Sequence, residues 1–331
     1  MSLLKTLGVT TAVAAMLLAS SAFAAPVKIA LVVKSLGNGF FDAADKGAEE
    51  AAKELGDVQV IYTGPTKATA EAQIEVINSL IAQKVNAIAI SANDPDALVP
   101  VLKKAMSRGI TVISFDSGVS KAGRELNLNA SGVDLIGDTI VKLAADHLPD
   151  GGEVAILSAA STATNQNAWI AAAKKVLPTK YPKIKLDAVV YGDDDSAKST
   201  DQAKGLLKTY PNLKAIIAPT TVGVVAAAQV VTDGNLIGKV NVTGLALPSE
   251  FKKFIDNGAS QSVALWNPID LGYSAIYLAH DLAVKKEKAK PGAVLSMGRV
   301  GKLTLDDNNE GAMANPFVFD KTNIDQYSKI Y

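Results

Sequence analysis

Val27-Lys28-Ile29-Ala30-Leu31-Val32-Val33, followed by Lys34-Ser35-Leu36-Gly37-Asn38-Gly39-Phe40-Phe41, is the stretch on which the fold turns. Its first half is a short apolar run of the kind that forms a strand buried on both faces of a parallel sheet. Its second half is a polar loop leading into a helix over Phe41–Leu55. The same unit then repeats. Strands are expected at Val58–Tyr62, Ala87–Ile90 and Ile110–Phe115, and helices at Ala70–Gln83 and Ala97–Ser107, the last closed by Gly109. One strand and one helix every ~25 residues means successive βαβ crossovers and a parallel sheet.

A second series starts near Gly151-Gly152. Strands are expected at Val154–Leu157, Leu186–Tyr191, Ala215–Ala218, Val240–Leu245 and Ser262–Leu265. Helices fit at Gln166–Val176, Ser196–Thr209, Gly223–Thr232 and Pro248–Asn257. The amphipathic helix Leu271–Val284 that follows has the character of the first series, and the tail from Lys302 is less regular. The chain therefore reads as α/β, with two doubly wound, Rossmann-like parallel-sheet domains. In such sheets ligands bind beyond the carboxyl ends of the strands, and with two domains facing each other the site falls in the cleft between them.

Composition narrows the chemistry. At 331 residues the chain has the length of about two domains, taking ~150 residues for each. Lysine plus arginine equals aspartate plus glutamate, 33 against 33, which argues against a surface that follows a phosphate backbone or an anionic membrane. There is no cysteine, so disulfides, thiolate metal sites, iron–sulfur clusters and cysteine nucleophiles are excluded. The two histidines, His147 and His280, fall in expected helices, and no nucleophile–base arrangement stands at the strand ends. No metal and no cofactor is expected.

The first 24 residues read as a cleaved export signal. Lys5 makes a short basic start, an apolar run extends from Leu7 to Leu18, and Ala22-Phe23-Ala24 closes it with small residues. The run is shorter than the ~20 apolar residues that span a bilayer. Loss of Lys5 with this segment leaves a mature chain of net charge −1, expected in the periplasm.

Function is then sought at the strand ends. After the first strand, Lys34 precedes Asn38, Phe40 and Phe41. This is no phosphate loop, because the position that Gly-x-Gly-x-x-Gly requires to be glycine is Asp42. Two adjacent rings cannot both occupy one buried helix face, so at least one of them should face the cleft. Asp116, after Phe115, offers carboxylate acceptors. In the second series Asn165 and Gln166 open a helix, Pro219-Thr220-Thr221 follows one strand, Leu247 another, and Trp266 a third. Trp169, within a helix, reads as packing, and Asp193-Asp194-Asp195 as a solvated loop. Amides, one carboxylate, one lysine and aromatic rings make a set suited to a neutral carbohydrate: planar polar groups reach hydroxyls and rings pack on C–H faces.

These residues, and the strand order, resemble the ribose-binding-protein-like periplasmic solute-binding proteins over essentially the whole mature chain. Lys34, Thr164-Asn165-Gln166-Asn167-Ala168-Trp169, Ala218-Pro219 and Leu265-Trp266 look like the branch that holds rhamnose-binding proteins of ABC importers and the Lsr-type autoinducer-2 receptors. For the latter, the resemblance implies ligand contacts at Lys34, Asp116, Gln166 and Pro219. Asn165 stands where those receptors have aspartate, and Thr221 where they have alanine. The ribose binders have arginine after the aspartate, where this chain has Ser117. The resemblance thus favours L-rhamnose, its methyl group against Phe40, Leu247 or Trp266, with an autoinducer-2 receptor as the alternative. It further implies a monomer that closes about a three-crossing hinge and delivers its ligand to membrane permease subunits. The implied domains are 25–129 with 268–301, and 130–267 with 302–331, crossing near Asn129, near Asn267 and at Gly301–Lys302. The same two-domain core occurs in LacI-type repressors, but the chain has no basic N-terminal helix-turn-helix.

Overall fold

The computed structural model describes residues 25–331; the expected signal segment lies outside the described residues. Its first half runs β1 (Val27–Val32), α1 (Gly39–Leu55), β2 (Val58–Thr63), α2 (Ala70–Ala82), β3 (Ala87–Ile90), α3 (Val99–Ser107), β4 (Thr111–Phe115) and β5 (Asn127–Asn129). The chain continues through α4 (Val133–Ala145), β6 (Gly152–Ser158), α5 (Thr164–Lys180), β7 (Ile184–Tyr191), α6 (Ser196–Thr209), β8 (Leu213–Ala218), α7 (Thr221–Asp233), β9 (Asn241–Gly244), α8 (Pro248–Asp256) and β10 (Ser262–Leu265). It ends with α9 (Pro268–Ala283), β11 (Val294–Ser296), β12 (Lys302–Thr304), β13 (Glu310–Ala312), β14 (Phe317–Asp320) and α10 (Ile324–Tyr327).

Two sheets result. The first is six-stranded and parallel throughout, in the order β2-β1-β3-β4-β5-β13. The second has the parallel order β7-β6-β8-β9, extended by a Leu245–Ala264 bridge to β10, which pairs antiparallel with β14. Both follow the doubly wound plan, so each has its switch point beside its first strand, between β1 and β3 and between β6 and β8. The strands read as apolar runs because helices cover both faces; β3 and β4 are buried at every residue. The two-domain α/β reading holds.

The late elements add what the sequence left irregular. β5 and β13 are three residues each, Asn-Leu-Asn and Glu-Gly-Ala, with no apolar run to announce them. Their pairing is fixed from outside. Arg124 donates to Glu310 Oε1 at 2.5 Å, and Asn129 donates to Glu310 Oε2 at 3.1 Å. The chain leaves the first sheet after β5, returns after β10, and passes to the second sheet again between β13 and β14. The third passage therefore lies beyond Ala312, not at the Gly301–Lys302 turn, which instead joins the β11–β12 hairpin. α4, for which no bounds were expected, packs against α5, and His147, expected within a helix, lies in the turn just after α4 ends.

After the second passage α9 docks on α1, as its character suggested. Two glycines allow this approach: a β-carbon on Gly47 would stand 1.7 Å from the Ile269 carbonyl oxygen, and one on Gly272 would stand 1.8 Å from that of Ala44. Gly272→Ala is expected to cost about 1–3 kcal/mol in urea unfolding because backbone must move. Gly205→Ala, in α6 with open space around it, should stabilise slightly and serves as the control.

On α1, burial pushes the Asp45 carboxyl up to about 6, reinforced by Glu49 and Asp42. The folded chain thus holds this proton more tightly than the unfolded chain. Stability should fall as pH rises from about 4 to about 6. Asp45→Asn is expected to raise the melting temperature at pH 7, with the gain vanishing below pH 4, where both states are protonated.

Candidate ligand-binding cleft

The carboxyl ends of the two sheets face each other across a tight cavity lined from both lobes. From the first lobe, Lys34 follows β1, Asp116 follows β4, and Asn38, Phe40 and Phe41 start α1. From the second come Asn165 and Gln166 on the first turn of α5, Pro219-Thr220-Thr221 after β8, and Trp266 after β10. Every site residue expected from sequence lines this one cavity except Leu247.

At its centre is a buried polar triad that joins the lobes. Lys34 Nζ lies 3.6 Å from Asp116 Oδ2 and donates to Asn165 Oδ1 at 3.3 Å; Asn165 Nδ2 donates to Asp116 Oδ1 at 2.8 Å. Lys34 and Asp116 are only 4% and 5% exposed, so each charge depends on the other and on these hydrogen bonds. Ser91 Oγ also donates to Asp116, at 2.7 Å. Asp116 sits in the left-handed region, φ 57°, which aspartate tolerates better than most residues. Further bonds link the lobes at the rim: Thr162 to the Asn93 carbonyl at 2.7 Å and Thr164 to that of Gly118 at 2.9 Å.

The amides are oriented by backbone. Ala159 N–H donates to Gln166 Oε1, Phe40 N–H to Asn38 Oδ1, and Gln166 N–H to Asn165 Oδ1. A backbone N–H can only donate, so these bonds identify the oxygen of each amide. The NH₂ groups of Gln166 and Asn38 make no hydrogen bond to the described residues and are left as donors. The amides therefore act in one sense, donating, while the carboxylates accept.

The apolar side is a chain of rings in edge contact: Phe41 to Phe40 at 5.2 Å, Phe40 to Trp266 at 6.1 Å, Trp266 to Trp169 at 5.6 Å between centroids. Both phenylalanines are buried and both line the cavity, so the opposition between core and cleft dissolves: this cleft wall is core. Trp169, read as packing, is also a lining residue. It stands three and four positions after Gln166 and Asn165, hence on the same helix face, a signal the sequence contained. Leu247 is a correction: it caps α8, its side chain lies beside Gly39, and it lines a separate groove with Ser249 and Glu250 and not this cavity. Leu245 and Leu265 supply the aliphatic wall instead.

Asp194 is the other residue that sequence reasoning missed. It follows β7 at a strand end like the others, but was hidden in a run of three aspartates. It lines the cavity and accepts a hydrogen bond from Thr220. Burial pushes its carboxyl above the ordinary range, while Lys34 and the Thr220 bond pull the other way. Among the described residues no group of three or more acidic or histidine side chains forms a metal site. His147 meets Ser262 at 3.1 Å and His280 lies between Asp281 and Asp57, both away from the cavity.

Residues 29–287 match the periplasmic binding protein domain family. A solute-binding protein of an ABC transporter from Clostridium phytofermentas, solved with bound L-rhamnose, is 39% identical with a TM-score of 0.89, covering 93% of this chain and all of that one. The D-allose-binding periplasmic protein of Escherichia coli is 29% identical over 88% of this chain and 94% of its own length. LsrB from Clostridium saccharobutylicum, solved with AI-2, shares the fold at a TM-score of 0.86 and 24% identity, over 91% of this chain and 99% of that one. The chain belongs to the periplasmic binding protein family. Within it, this is a periplasmic sugar-binding component of an ABC transporter, of the ribose- and rhamnose-binding type, with a transport role and not a catalytic one.

Proposed function

We propose that this protein binds L-rhamnose in the inter-lobe cavity, closes about the hinge on doing so, and presents the closed form to the permease subunits of its importer as a monomer. The observation that carries the reading is the division of the cavity. The lining divides into two connected sets, the Lys34–Asp116–Asn165 polar cluster with Asp194 and Gln166, and the rings of Phe40, Trp266 and Trp169 with Leu265. A 6-deoxyhexose has this same division, with hydroxyls around most of the ring and one methyl group. The rhamnose-bound relative supports the same choice. Residues from both lobes would touch the sugar, so the ligand favours the closed arrangement over an open one.

The autoinducer-2 reading has in its favour Lys34, Asp116, Gln166 and Pro219, all at the cavity. Against it stands Asn165, whose oxygen is already taken by Lys34 and Gln166 N–H, so that it offers no free acceptor where those receptors have a carboxylate. Isothermal titration calorimetry of the mature protein against L-rhamnose, L-fucose, D-ribose, D-allose and autoinducer-2 separates the readings. L-Rhamnose should bind most tightly. Tighter binding of autoinducer-2 or of a pentose would replace the ligand.

A further inference from the structure

We propose that Asp194 is the specificity-determining acceptor of the second lobe: it takes a ligand hydroxyl opposite Asp116 and turns acid sugars away at the mouth of the cavity. The inference rests on the neutral-sugar reading above. The three consecutive aspartates have three different surroundings. Asp193 pairs with Lys198 at the surface. Asp195 caps α6 by accepting from Lys198 N–H at 2.7 Å. Only Asp194 turns inward, with Oδ1 held by Thr220 and Oδ2 making no hydrogen bond to the described residues.

Its position explains a selective role. A groove between the lobes is lined by Ser35, Lys67 and Asp94 on one side, and by Thr162, Asp194 and Lys198 among others on the other. It lies at the β2 and β7 edges of the sheets, while the hinge passages leave from the opposite edges at β5 and β10. The groove is thus on the side that opens. Of all its lining residues, Asp194 alone also lines the cavity. A ligand coming from this side passes the Asp194 carboxylate first. A hydroxyl gains a charge-assisted hydrogen bond there, whereas an anionic sugar meets the Asp194 charge in a place where Lys198 is already paired with Asp193 and Lys34 with Asp116.

The test is calorimetry of L-rhamnose and D-galacturonate with the parent protein, Asp194→Asn, and Asp201→Asn, exposed on α6, as a control for net charge. Asp194→Asn should weaken L-rhamnose about tenfold or more and narrow its advantage over D-galacturonate by a similar factor; Asp201→Asn should change neither. Asp194→Ser, which keeps a short polar side chain beside Thr220 but no charge, should weaken L-rhamnose to a similar extent and decides the matter if Asp194→Asn fails to fold. Unchanged L-rhamnose affinity in Asp194→Asn, or equal losses in Asp194→Asn and Asp201→Asn, would overturn the inference while leaving the sugar reading intact. A parent protein that binds no neutral sugar at all would overturn both.

Discussion

Asp116→Ala is expected to raise the Kd for L-rhamnose by at least ~100-fold. The carboxylate is the acceptor at the centre of the cavity, and two charge-assisted hydrogen bonds to ligand hydroxyls, at about 1.5–3 kcal/mol each, account for a loss of that size. A second effect adds to it. Lys34 lies 3.6 Å away and is buried, so the variant leaves a cation whose remaining partner is the Asn165 amide. Removing one member of a buried pair typically costs ~3–5 kcal/mol, and here the pair also holds Asn165 of the other lobe. Asp116→Asn separates the two effects. It keeps the shape and one acceptor oxygen but no charge, and should still lose more than ~10-fold in affinity. If either variant melts at a lower temperature yet binds L-rhamnose as the parent does, Asp116 supports the fold and does not hold the ligand.

Trp266→Ala should abolish measurable binding for a different reason. The indole sits at the end of β10, 3% exposed, in contact with Phe40 from the first lobe and Trp169 from the second. Truncation removes the surface on which the sugar's C–H face packs and opens a void between the rings of Phe40 and Trp169. Large aromatic truncations in packed surroundings cost ~3–5 kcal/mol, and part of that loss falls on the closed arrangement, which these rings join. Trp266→Phe should restore most of the affinity, since it refills the space with a ring. Equal losses in both variants would point to the indole N–H, and not to the packing surface.

The pattern of hits and misses along the chain has a physical cause. Strand carboxyl ends are legible, because an apolar run followed by polar residues marks them. That rule located Lys34, Asp116, Pro219 and Trp266, and it would have located Asp194 had the triple aspartate not read as solvent-facing. Leu247 fails because the rule does not say where the chain turns. α8 begins one residue later, and Leu247 becomes its cap, beside Gly39. Trp169 was visible only through helical spacing from Asn165. β5 and β13 were not visible at all, because their pairing is made by Arg124, Asn129 and Glu310 across ~180 residues of sequence, a tertiary cause with no local pattern.

Both tryptophans of the chain line the cavity, which gives the central claim a direct probe. Tryptophan emission should change saturably on titration with L-rhamnose, with a midpoint equal to the calorimetric Kd, and the change should vanish in Asp116→Ala. Calorimetric binding of L-rhamnose with no change in emission, or an emission change that survives in Asp116→Ala, would contradict a neutral sugar held between Asp116 and the paired indoles.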